Sequence, residues 1–190
     1  MDVSTIEGRG VAALLRDGTR VTLRAVRDDD GPAIRALLGG LSPASLSARF
    51  FGTPDLDRAT RCLLAVDERC DFSIVVLAGE AASVLVAHAA YLGTGRVRAE
   101  VAFVVADEWQ GRGVAPVMLA GLVQVARQRG VSALTAEVLP HNERMIAVFA
   151  ASRLPLDVRA GDDVIEVTLT LRPTDAPEPS RGAPLQSAVL

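Results

Sequence analysis

The run RAEVAFVVA, Arg98 to Ala106, is apolar on both faces after its leading arginine apart from one acid, and it leads straight into DEWQGRGVA and a helical pattern. A strand that is apolar on both sides must be covered on both sides, so it belongs in the middle of a sheet with layers above and below. After the glycines, Val117, Leu119, Leu122, Val123, Val125 and Ala126 recur at helical spacing until Gly130, and ALTAEVL then reads as a strand. Strand, helix and strand in that order make one crossover connection. Upstream, FSIVVLAG and ASVLVAHAAYLG read as two β-rich runs with a hairpin signal at Gly79-Glu80. An antiparallel run followed by a single crossover predicts a mixed α/β (α+β) sheet flanked by helices, and not a repeating doubly wound one.

The remaining segments fit around that centre. RVTLRAV, Arg20 to Val26, alternates and reads as a first strand. Asp28, Asp29 and Asp30 offer capping carboxylates to a helix whose apolar face is Ile34, Leu37 and Leu38, stopped at Gly39-Gly40. Ser42-Pro43 starts another helix, with serine as cap and proline at the first helical position, running through Leu46, Phe50 and Phe51. A further helix is expected over 57–66, another in HNERMIAVFAAS, and a last strand in VIEVTLTL. VAALLRDG reads either as a short helix closed by Gly18 or as an edge element. The expected organisation is an N-terminal extension over 1–18, one domain over 19–171, and a proline-rich mobile tail over 172–190.

Bulk properties exclude several classes. A hydrophobic share of 49% is ample for a core, and a net charge of -3 provides no basic field for nucleic acid. Cys62 and Cys70 stand apart from His88 and His141, which gives neither a zinc spacing nor a disulfide framework, so no metal is expected. MDVSTIEGRG is not a secretory leader, and no apolar stretch reaches the ~20 residues needed to span a bilayer. A cytoplasmic protein without membrane contact is the expectation. Every basic side chain is arginine; the sequence contains no lysine, so the chain offers no lysine side chain of its own for acylation.

The chemistry gathers around the glycines. Gly111 and Gly113 allow positive φ and let a ligand approach without a Cβ in the way. The first amides of the following helix lack internal partners, and a phosphate is their natural occupant. The segment is not a P-loop, because no Gly-Lys-Ser/Thr follows. Glu100 lies within the central strand, where a carboxylate is either paired, with Arg96 or Arg98, or held as a general base with its pKa raised by partial burial. Asn142, after Pro140, reads by itself as a helix cap. His88 and His141 read as surface or hydrogen-bonded residues.

Taken together, Gln110-Gly111-Arg112-Gly113-Val114-Ala115, the preceding EVAFVVADEWQ and the later HNERMIAVF resemble the GNAT N-acetyltransferase superfamily and its Gln/Arg-x-x-Gly-x-Gly/Ala signature. The order of elements from about Arg20 to Leu171 fits as well. TLRAVRDDDGPAIRALLGGLSPASLSARFFG looks like a narrower branch, the bacterial protein lysine acetyltransferases and the acetyltransferase modules of acyl-CoA synthetases.

The resemblance implies a mainly antiparallel sheet splayed between its two central strands, with acetyl-CoA as co-substrate. Backbone groups of Phe103, Val104 and Val105 would hold the pantetheine arm and thioester. Residues Gln110, Gly111, Arg112, Gly113, Val114 and Ala115 would receive the pyrophosphate, and Asn142 would contact the pantetheine or the region near the sulfur. Glu100 stands where the branch has its catalytic glutamate. The acceptor amine would attack directly in a ternary complex, without an acyl-enzyme. A protein lysine, for example in an acyl-CoA synthetase, is the leading acceptor; a small amine is the alternative, and a non-catalytic acyl-CoA-binding regulatory module the third reading. A homodimer pairing through VIEVTLTL is a further expectation. Two departures stand out: Phe149 replaces the tyrosine that many relatives use as acid, and Pro116 removes one amide from the first helical turn.

Overall fold

In the computed structural model, which describes residues 3–65, 71–79, 84–93 and 97–171, the chain begins with a short helix α1 (Val3–Glu7). Strands β1 (Val11–Leu14) and β2 (Arg20–Ala25) follow, then a 3-10 turn at Asp28–Asp30 and helices α2 (Gly31–Gly39), α3 (Pro43–Phe50) and α4 (Leu56–Leu64). The centre is β3 (Phe72–Ala78), β4 (Val84–Gly93), β5 (Arg98–Val105), α5 (Val114–Gln128) and β6 (Ala133–Val138). Helix α6 (Glu143–Ala150) and strands β7 (Leu156–Ala160) and β8 (Ile165–Thr170) complete it. Cys70, Arg96, most of the hairpin turn after Gly79 and the tail over 172–190 lie outside the described residues.

All eight strands form one sheet in the order β1-β2-β3-β4-β5-β6-β8-β7, antiparallel throughout except for β5 against β6. Alternation along β5 splits its side chains between two layers. Ala99 and Val101 join the core under α1, α5 and α6, whereas Val104 joins the one under α2 and α4. From Val101 onward the strand is sandwiched, whereas Arg98 and Glu100 are exposed on its second face.

Two elements, α1 and β7, escaped the sequence. The edge alternative for VAALLRDG holds, since β1 pairs with β2 at the rim of the sheet. Helix α1 buries only Val3 and Ile6, too few positions for a readable period. Strand β7 is almost wholly exposed and carries little apolar pattern. Its presence removes β8 as the pairing edge of a dimer, because β8 is paired on both sides, by β6 and β7, and has no free edge to offer a second copy.

The three aspartates also differ from expectation. Asp30 precedes α2 but makes no cap with its side chain. Instead its carboxylate receives both terminal nitrogens of Arg24 at 2.7 Å and the Arg27 backbone N–H at 2.8 Å, well inside the protein. Ser42 does cap α3, accepting from the Ser45 N–H, with Pro43 in the first turn. Among the described residues no helix is long and apolar enough to cross a membrane, and no group of three or more His, Cys, Asp or Glu could hold a metal ion.

Candidate active site

The parallel pairing of β5 with β6 lasts for three residues only, Arg98 with Ala133, Ala99 with Leu134 and Glu100 with Thr135. Beyond Glu100 the two strands part. β5 continues to Val105 along β4 alone, and β6 to Val138 along β8 alone. The facing edges therefore leave the ladder, and the opening between them is a cavity of about 650 Å³. That size suits an organic ligand. Its walls are Glu100 to Val105 of β5, the glycine turn, the heads of α5 and α6, and one side of α3.

The glycine turn has the backbone its sequence demands. Gly111 and Gly113 adopt φ of +75° and +97°, and Gly113 is the residue from which α5 departs. A Cβ on Gly113 would press on Arg16 Cγ at 3.2 Å, besides being strained at that φ, whereas one on Gly111 would meet nothing within 4 Å. Gly111 is thus open toward a ligand. Gly113→Val should distort the turn and abolish measurable acetyl-CoA binding by calorimetry while the chain stays folded by circular dichroism. Wild-type affinity in that variant would mean that the turn does not receive the coenzyme.

Side chains of the turn brace it. The Gln110 amide donates to Ser45 Oγ at 2.9 Å, to Asp107 Oδ1 at 3.0 Å and to the Val105 carbonyl at 3.2 Å. Asp107 in turn accepts from the Ser45 hydroxyl at 2.5 Å and from the Ser42 N–H at 2.8 Å. These bonds, that from Ser45 foremost, hold its carboxyl below the usual aspartate range. Arg112 turns away from the cavity: it binds Asp17 at 2.6 Å and Thr19 Oγ1 at 3.0 Å, and lies 4.3 Å from the Trp109 ring centroid.

Of the residues expected at a site, Phe103, Val104, Val105, Gln110, Gly111, Gly113, Val114, Ala115, Asn142 and Glu100 all line this one cavity; Arg112 does not. The Asn142 side chain accepts from the Met145 N–H at 3.2 Å, so it caps α6 at the cavity rim. Phe149 is buried, edge-on to Phe103 with centroids 6.1 Å apart, and brings no hydroxyl to the cavity. Tyr91 is buried against Phe72, away from the cavity. His88 is fully buried and donates through Nε2 to the Leu63 carbonyl at 3.2 Å. Burial, with the charge of Arg49, drives its pKa down to about 3, so it is neutral. His141 lines the rim, and Cys62 on α4 is not part of the cavity.

Glu100 reaches into the cleft. Its side chain is exposed there, yet the surrounding wall desolvates it and the Glu137 carboxylate repels it. Both push its pKa above the usual glutamate value, while Arg49 pulls the other way. Alternation and register put Glu100 and Glu137 on the same face, since Thr135 opposite Glu100 precedes Glu137 by two residues on β6. Glu137, Arg49 and Arg16 were not legible as site residues. Glu137 looks like any solvent-facing strand acid, and both arginines come from segments remote from the motif.

Comparisons with known proteins agree with this geometry. Residues 43–152 match the family described as the Acetyltransferase (GNAT) family. The chain is 31% identical over 135 residues to Acetyltransferase PA5475 of Pseudomonas aeruginosa, a match covering 67% of this chain and 70% of that protein. It is similar to the GNAT domain of S. lividans PAT, with a TM-score of 0.76 and 29% identity over 85% of this chain and 96% of that one. The fold is shared with yncA of Salmonella typhimurium, solved with its cofactor acetyl-CoA, at a TM-score of 0.65 and 20% identity over 83% of this chain and 98% of that one.

Proposed function

Because the chain belongs to the GNAT acetyltransferase family and is an acetyl-CoA-dependent acetyltransferase, we propose that its acceptor is a protein lysine, for example in an acyl-CoA synthetase, and that Glu100 is the general base. The observation that carries this reading is the acidic acceptor side of the cavity. Glu100 and Glu137 share one sheet face, and Glu166, in register with Glu137 on β8, extends it as a third exposed acid. An open, acid-lined approach suits a lysine ammonium on a protein surface better than a closed apolar pocket would.

The residues divide the work. Acetyl-CoA supplies the activated acetyl thioester. Gly111, Gly113, Val114 and Ala115 present amides at the positive end of α5 for its phosphates, and Arg16, packed over Gly113, adds a cation beside them. The parted edge of β5 from Phe103 to Val105 offers backbone groups to the pantetheine amides, with Asn142 at the rim. Glu100 takes the proton of the amine, directly or through a water. The amine nitrogen then bonds to the acetyl carbon, the carbon–sulfur bond breaks, and the extra proton on that nitrogen passes through water to the departing thiolate. Cys62 lies away from the cavity, which supports direct attack over an acyl-enzyme.

The test is thiol release with acetyl-CoA against a panel of acyl-CoA synthetases, lysine peptides and small amines, with mass spectrometry locating the acetyl group. Since the sequence has no lysine, label on the enzyme itself contributes no lysine background. Acetyl-lysine on a protein acceptor is the expected result. A small amine turning over far better would replace this acceptor, and tight acetyl-CoA binding without release from any acceptor would favour a regulatory module.

A further inference from the structure

Arg49 lies in the last turn of α3 and lines the cavity. An arginine there ordinarily turns to water or to the last carbonyls of its helix. This one is partly exposed, yet its Nε turns to neither. Its Nε is shut off from solvent with no hydrogen-bond partner, and among the described residues its guanidinium forms no ion pair. The contact it makes is with the Phe50 ring, 4.9 Å from the centroid. Burial lowers its pKa to about 10, which still leaves it cationic at neutral pH, and Glu100 is the acid whose charge it feels. With its Nε buried and unbonded, and Glu100 acting on it without contact, Arg49 keeps hydrogen-bonding capacity for an anionic group within the cavity.

Its position says which part of the contents that is. Ser45, four residues earlier, is bonded to Gln110 and Asp107 at the glycine turn. One helical turn advances ~5.4 Å, so Arg49 lies on the same side of α3 but further along β5, toward Glu100. Glu100 and Val105 are separated by five residues of strand, roughly 16 Å. Coenzyme phosphates at the head of α5 therefore belong to the other end of the cavity. The anion that Arg49 awaits is on the acceptor side.

We propose that Arg49 is a specificity-determining residue that receives a carboxylate carried by the acceptor beside its reacting amine; resting on the protein-lysine reading above, this is an aspartate or glutamate flanking the target lysine. Glu100 and Glu137 then face the amine while Arg49 takes the neighbouring acid. The acceptor is recognised as a pair of opposite charges, and a lysine within a purely basic stretch is disfavoured.

The experiment compares peptides whose single lysine is flanked by Asp, Ala or Arg, together with free lysine, on wild type, Arg49→Met and Arg49→Glu. Folding is checked by Tm and acetyl-CoA affinity by calorimetry. Wild type should favour the Asp-flanked peptide over the Ala-flanked one by about 10- to 100-fold in kcat/KM, the range of a charge-assisted hydrogen bond. Arg49→Met should bring the Asp-flanked peptide down to the Ala-flanked level, and Arg49→Glu should turn the preference toward the Arg-flanked one, with acetyl-CoA affinity unchanged. Free lysine outperforming every peptide in an Arg49-dependent way would keep the carboxylate receptor but move its source to a free amino acid, so the protein-lysine reading would fail alone. The inference is overturned if wild type ignores the flank. A uniform loss for all peptides with a displaced acid limb would overturn it by showing that Arg49 acts only on Glu100. So would an Arg49-dependent preference for malonyl-CoA over acetyl-CoA that is blind to the flank, since the carboxylate would then belong to the donor.

Discussion

Glu100→Gln should lower kcat by about 10²- to 10⁴-fold at neutral pH and leave acetyl-CoA affinity nearly unchanged. A lysine ammonium with a pKa near ~10.4 is neutral about once in ~10³ molecules at pH 7, so the reaction needs somewhere to put a proton. Gln keeps the size and hydrogen-bonding capacity of the side chain but cannot accept that proton. In the wild type, the acid limb of the pH–rate profile should rise as Glu100 ionises, above the usual glutamate range because desolvation and Glu137 both resist its charge. The variant should lose that inflection; an acid limb of unchanged position would remove Glu100 from the base role. Stability gives an independent readout. A carboxyl whose folded pKa is raised above its unfolded value destabilises the fold once pH exceeds both, and costs nothing below both. Glu100→Gln should therefore be slightly more stable than wild type near neutrality, with the difference vanishing in acid. The effect is small, because the side chain is exposed within the cleft.

Asp30→Ala should cost about 3–5 kcal/mol of stability, the usual penalty for stranding one half of a buried ion pair. Arg24 and Asp30 have side chains only 10% and 7% exposed, and the bond between them is bidentate. Without the carboxylate, the guanidinium keeps only the Ala25 carbonyl, at 2.9 Å, and the Arg27 N–H loses its acceptor. For a domain of this size the loss corresponds to a fall in Tm of roughly 6–20 °C. Burial alone would raise the Asp30 carboxyl, but Arg24 and the Arg27 N–H outweigh it and hold the carboxyl below the usual aspartate range. A depressed folded pKa means stability that is present above the unfolded pKa near ~3.9 and is lost as pH falls through the folded one. The deficit of Asp30→Ala should therefore shrink on acidification. Arg24→Met combined with Asp30→Leu should recover most of the loss. A double variant no better than the single would mean that the carboxylate matters for something besides Arg24.

Much of the fold was legible because its centre is built from strong local signals. The two-faced apolar strand, the glycine turn and the periodic helix after it specify β5, α5 and β6 almost by themselves. What stayed hidden lies at the rims. Strand β7 is exposed along most of its length and so lacks the alternation that a half-buried strand writes into sequence. The capping reading of Asp28 to Asp30 holds for the Arg27 N–H at the 3-10 turn but fails for α2, for a different reason. Asp30 prefers the charge of Arg24, six residues away, to a backbone amide of its own helix, and propensity does not see tertiary charge. At the site, the motif residues other than Arg112 come together in one cavity, whereas Arg16, Arg49 and Glu137 converge on it only through the tertiary fold.

The outward turn of Arg112 has a consequence for how the coenzyme is met. By clasping Asp17 and Thr19 and stacking on Trp109, it rivets the glycine turn to the loop between β1 and β2, and the Arg16 N–H adds a bond to the Arg112 carbonyl at 3.1 Å. The turn is thus preorganised by the protein itself, and its ordering entropy is lost during folding and not on binding. Residues 16–19, remote from the motif in sequence, are in this sense the far wall of the proposed phosphate cradle.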